Sequence, residues 1–187
     1  MKIQKKRSIS LVLLLGASVA LADDAGVCRR AKDKAAGVKT AVFTSHASID
    51  TSAGYVKGLN RRLCIFNNGT NEGAVDLQTL GSKRQSIAAT YMLKGLDLDA
   101  LGLPPPGVTP EPWYCGKLSG SSISQVANGG FVDKSGGALG MCAFGDGSMV
   151  GTWELRYISL DPAYLSMRKA VKSEPLSLSL PYLGSGR

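Results

Sequence analysis

The chain reads CIFNNGTNEGAVDL over residues 64–77 and CAFGDGSMVGTWEL over residues 142–155. Aligned without gaps at a constant offset, the two stretches share Cys, Phe, two Gly and Leu. Thr stands opposite Ser, Asp opposite Glu and Asn opposite Asp. Self-similarity at fixed spacing is the mark of a repeated structural unit. The match extends outward: Cys28 answers Cys115, and Leu101-Gly102-Leu103-Pro104 answers Leu178-Ser179-Leu180-Pro181. The expected fold class is α+β, two tandem helix/β-hairpin units related by internal duplication. The first covers residues 23–104 and the second 111–187. Between them the Pro-rich linker 105–110 is expected to run in stiff, extended polyproline geometry.

Local patterns supply the elements. Asp24 to Ala36 is Ala-rich and polar and reads as a helix stopped by Gly37. Val38 to Thr44 alternates as a strand. Arg62–Phe66 and Val75–Leu80 flank Asn68-Gly69, whose residues accept the positive φ of a tight hairpin turn. Asp146-Gly147 has the same role in the second unit. There Trp153, Leu155 and Tyr157 fall on one face of a strand, with Glu154 and Arg156 on the other. Gly73 and Gly151 mark a bulge or a close backbone approach. Ser86–Lys94 and Pro162–Val171 read as helices. The Leu-Ser-Leu-Ser-Leu run at 176–180 fits a strand but does not demand one.

Residues 1–22 read as an export signal: Lys2, Lys5, Lys6 and Arg7 precede the apolar run 9–21, and Ala20-Leu21-Ala22 is a cleavage site. Removing its four cations from the chain's 22 leaves 18 against 14 acids, so the mature protein carries about +4 rather than +8. That balance and the export signal argue against nucleic acid as a partner. An unknown protein or an anionic envelope or host component is the expected partner. No transmembrane segment remains after cleavage, since no apolar run reaches spanning length. The expected location is the periplasm or the exterior. Four cysteines in an oxidising compartment should pair. With one pair per repeat, Cys28 joins Cys64 and Cys115 joins Cys142. An all-cysteine zinc site would want close C-x₂-C pairs, which the sequence lacks.

Cys115, Gly129-Gly130, the run Gly140–Ser148 and Trp153 together resemble the small bacterial domain of unknown function numbered 333. The pattern of that family is Cys, Gly-Gly, Gly-x-x-Cys, an apolar residue, Asp-Gly-Ser/Thr, then Trp. The likeness is clearest over residues 111–158 and weaker over Cys64–Leu77, where Val75 replaces the Trp. Further family cysteines are replaced here by Val150-Gly151-Thr152 and Ile158-Ser159. The resemblance implies an exported envelope protein. Members often carry the label hemolysin, to which no mechanism is attached.

Catalytic signatures are sparse. His46 is the one histidine in the chain, so a triad or a multi-histidine metal site would have to centre on it. Ser166-Met167-Arg168-Lys169 matches S-x-x-K formally, but Lys134-Ser135-Gly136 lies upstream, the reverse of the order in penicillin-recognising enzymes. Asp146 and Glu154 alone do not make a calcium loop. No catalytic residue, metal or cofactor is expected. The expected function is a non-enzymatic exported binding or inhibitory protein. A secreted membrane-active protein and an enzyme with an unrecognised site are the alternatives. Binding is expected at the stapled turns and their neighbours: Asn67, Asn68 and Asp146 at the tips, Arg61 and Arg62 before one, Glu154 and Arg156 after the other.

Overall fold

The structure, a computed structural model, describes residues 26, 28–29, 39–51, 54–67, 72–123, 131–132, 138–160 and 168–185. The export signal and Asn68 lie outside the described residues, as do the side chains of His46 and Asn67. The fold is mixed helix and antiparallel sheet, with the elements in this order: β1 (Lys39–Thr51), β2 (Gly54–Asn67), β3 (Glu72–Asp76), α1 (Leu77–Gly81), α2 (Ile87–Lys94), α3 (Leu98–Leu101), α4 (Pro110–Lys117), β4 (Ser121–Ile123), β5 (Phe131–Val132), β6 (Ala138–Leu139), β7 (Met141–Ala143), β8 (Met149–Gly151) and α5 (Thr152–Leu160).

Six strands form one sheet in the order β1-β2-β3-β8-β7-β4, and β5 pairs with β6 apart from it. Cys64 stands opposite Val75, Cys142 stands opposite Val150, and Val75 stands opposite Val150. A hairpin from each half therefore meets the other at the centre of a shared sheet. Side chains alternate across it. Leu63, Ala74, Met141 and Met149 bury on one face. Cys64, Phe66, Val75, Cys142 and Val150 bury on the other, beneath Leu80, Tyr91, Leu101, Tyr114 and Leu155 of helices α1 to α5. Two layers result, with the main core between sheet and helices.

Both disulfides form as expected. Cys28–Cys64 and Cys115–Cys142 each join a helical residue to a strand, with Cα atoms 5.5 Å apart. Gly120 lies so close to the second bridge that a Cβ there would strike both sulfurs.

Several expectations are corrected. The segment 75–80 is not one strand. Asp76 ends β3 and caps α1, its Oδ1 accepting from the Gln78 amide at 3.1 Å, the usual competition of Asp against ladder pairing. Trp153, Leu155 and Tyr157 lie on helix α5 rather than a strand. The run Trp-Glu-Leu-Arg-Tyr also satisfies a helical period, with Glu154 and Leu155 buried and Trp153, Arg156 and Tyr157 half-buried. The 105–110 linker turns instead of extending: Val108 N–H donates to Pro105 O at 3.1 Å, Gly107 takes φ +80, and Pro110 already opens α4. The 176–180 run is not a strand.

The Ser86–Lys94 helix stands as α2, with Ser86 as its N-cap. Of the helices read at 24–36 and 162–171, only positions 26, 28, 29 and 168 are described as helical. The C-terminal segment straps α2. The Tyr91 hydroxyl donates to Pro181 O at 2.9 Å, Leu176 N–H to Thr90 Oγ1 at 2.9 Å, and Gly184 N–H to Gly95 O at 2.9 Å.

Candidate functional site

The second turn is closed within itself. Phe144 N–H donates to Ser148 O at 3.0 Å and Gly147 N–H to Phe144 O at 2.9 Å, with Gly147 at φ +81. Its side chains then reach across to the first half. Asp146 Oδ2 accepts from the Ile87 amide at 2.8 Å, and Ser148 Oγ accepts from the Ala88 amide at 3.1 Å. Ser86 Oγ accepts from Ala89 N–H at 3.2 Å. Three consecutive amides at the α2 N-terminus are thus satisfied, two of them by a turn some sixty residues away in sequence.

Asp146 Oδ1 also accepts from the Ser148 hydroxyl at 2.6 Å and the Ser148 amide at 3.0 Å. Burial pushes the carboxyl up, but the hydrogen bonds from Ser148 and from the Ile87 amide outweigh it. Asp146 therefore titrates below the ordinary carboxylate value.

Beside this joint opens a cleft of about 340 Å³, lined by α1, the 82–86 loop and the 146–148 turn. That volume is at the low end for small-molecule sites. Gln78, Ser82, Arg84, Gln85 and Ser86 bring polar groups to it. The Arg84 amide donates to Ser82 Oγ at 2.9 Å, which shapes the loop and leaves the side chain exposed. Arg84 is the cation of the cleft lining. It went unnoticed in the sequence because it belongs to no motif and becomes a rim residue only when the second turn docks.

The residues singled out from sequence scatter. Asp146 lines the cleft, though its Oδ2 is taken by the Ile87 amide of α2 and its Oδ1 by Ser148. Arg61 lies behind Gln78, its Nη1 donating to Gln78 Oε1 at 3.2 Å and to Asp76 Oδ2 at 3.5 Å. Arg62 is half-buried on β2. Glu154 is corrected from exposed neighbour of a turn to core: it is 1% exposed, packed against Gly73 and Gly151. Those glycines do mark a close approach, by the Glu154 carboxylate at both and by the Ala74 backbone oxygen at Gly151 as well. Arg156 belongs to a separate face, where its Nη1 donates to the Tyr114 hydroxyl at 2.8 Å.

Among the described residues no helix is long and apolar enough to cross a membrane. Comparison with protein-family models, with curated proteins and with solved structures returns no match.

Proposed function

We propose that the protein is an exported, non-enzymatic binding protein, and that the cleft beside the 146–148 turn takes a small polar ligand with one anionic group. The observation that carries this reading is the docking of Asp146 and Ser148 onto α2 beside that cleft. A site whose walls are fixed before the ligand arrives pays little ordering entropy on binding. Arg84 supplies the charge that selects an anion, and Gln78, Ser82 and Gln85 supply neutral hydrogen-bonding groups.

Export rests on the signal sequence together with two disulfides, which persist in oxidising compartments. The likeness to the domain numbered 333 supports an envelope or secreted setting. We also propose that the two halves arose by duplication. Each presents a helical cysteine bridged to a strand, a hairpin and a following helix. The ungapped alignment needs one amendment: the strand partner of the bridged cysteine is Val75 in one half and Val150 in the other, so the first hairpin, counted from cysteine to partner, is three residues longer.

The test is amide chemical-shift mapping of the mature, oxidised protein with sugar phosphates and small dicarboxylates as probes. Shifts confined to residues 82–86 and 146–148, abolished in Arg84→Glu, support the reading. Shifts unaffected by that substitution, or absent from those residues with every probe, overturn it.

A further inference from the structure

Both tryptophans of the chain, Trp113 on α4 and Trp153 on α5, are half-buried rather than enclosed in the core, and they are linked through Tyr114 and Arg156. Each ring is held. Trp153 Nε1 donates to Glu111 Oε1 at 2.9 Å, and its ring stacks on Tyr157 with centroids 6.0 Å apart and planes at 23°. Trp113 meets the buried Tyr114 edge-on at 5.0 Å. Cations are interleaved with these rings. The Arg156 guanidinium lies 5.3 Å from the Tyr114 centroid and 6.0 Å from that of Trp153. Lys117 Nζ lies 5.4 Å from that of Trp113. Glu111, the carboxylate beside Trp153, is engaged by the indole N–H.

We propose that this surface binds an acidic polysaccharide, with sugar rings packed against the exposed parts of Trp113 and Trp153 and the polymer's anionic groups on Arg156 and Lys117. The occupant follows from the alternation. Exposed aromatic surface wants an apolar partner such as a sugar ring presents, whereas cations fixed beside it want negative charge at short intervals. A polymer of ring sugars bearing carboxylate or sulfate supplies both at each step. A second copy of this chain fits poorly, because facing surfaces would bring Arg156 and Lys117 against their own kind. The held rotamers lower the ordering cost, and Trp, Tyr and Arg are the side chains that concentrate binding energy at interfaces. The site is separate from the Arg84 cleft, so neither reading depends on the other.

The mature, oxidised protein is titrated with polygalacturonate oligomers and with heparin, read by tryptophan fluorescence and calorimetry. At least one should bind at physiological ionic strength, quench the tryptophans and lose affinity as salt rises. Trp153→Ala and Arg156→Gln should each weaken binding about tenfold or more. Trp153→Phe, which keeps a stacking ring, should retain most of it, and Arg84→Glu should leave it unchanged. Near-ultraviolet circular dichroism checks that each variant is folded. Failure of both polymers to bind overturns the proposal. So does binding that Trp153→Ala leaves intact, or equal binding of poly-glutamate, which would make the face a contact for acidic proteins instead.

Discussion

The carboxylate of Glu154 fills the space that a Cβ on Gly73 would take, and its other oxygen stands where a Cβ on Gly151 would be. Gly73 lies on β3 and Gly151 on the adjoining β8, so one buried side chain fixes the residue type on both central strands. Gly73→Ala and Gly151→Ala should each destabilise the protein by about 1–3 kcal/mol, the usual cost of overpacking. Urea unfolding reads the effect. Removing the side chain in Glu154→Ala should relieve Gly73→Ala, making the double variant more stable than the sum of its parts. It should relieve Gly151→Ala less, because Ala74 O also lies 3.0 Å from that Cβ position and backbone cannot move aside.

The α2 cap carries a pH signature. Asp146 has its folded pKa depressed, so its contribution is full above the unfolded value of about 4 and is lost as pH falls through the folded one. Asp146→Asn should lower stability at neutral pH by about 0.5–2 kcal/mol, the range for a lost cap. It should also flatten the decline below about pH 4. Thermal melts across that interval compare the two proteins. An acid limb of equal slope in both would show that other carboxylates govern acid unfolding.

Tyr91 makes the opposite prediction at high pH. Burial pushes its phenol up to about 12. The folded state holds a proton that the unfolded state releases from about pH 10, so this stability is present below 10 and lost between about 10 and 12. Tyr91→Phe should remove that part of the alkaline decline. It should also cost about 1 kcal/mol at neutral pH through the lost hydrogen bond to Pro181 O. Denaturant midpoints at neutral and alkaline pH separate the two effects.

Each disulfide should matter on the scale of the whole fold. The bridges span sequence separations of 36 and 27 residues. On the chain-entropy model each stabilises by about 4 kcal/mol, against about 5–15 kcal/mol for a typical domain. Replacing either pair by Ala should lower the thermal midpoint sharply, and replacing both should leave a chain unfolded at 37 °C by circular dichroism. A near-native melt without both pairs would mean that the sheet–helix core suffices.

The fold was legible wherever the code is local. Two cysteines in each half located both bridges, Asp146-Gly147 located a turn, and Ser86 located the start of α2. What stayed hidden was set by distant partners. The antiparallel contact of Val75 with Val150 joins the halves, and neither valine differs locally from any core strand residue. Trp153–Tyr157 fits a period of two as well as 3.6, so five residues could not decide between strand and helix. At the site, Asp146 was visible as a turn residue, but the amides it accepts from lie on α2, far along the chain. Arg84 has no local signature, because only the docked turn makes it the rim of a cleft.

The two bridges follow one another along the chain without crossing or nesting. A chain threading out of a membrane pore presents Cys28 and Cys64 before Cys115 and Cys142 appear. An oxidase that joins thiols in order of emergence therefore makes the native pairs at the first attempt. On the proposed export route, maturation would call for a thiol oxidant and make no demand on an isomerase to reshuffle mispaired sulfurs.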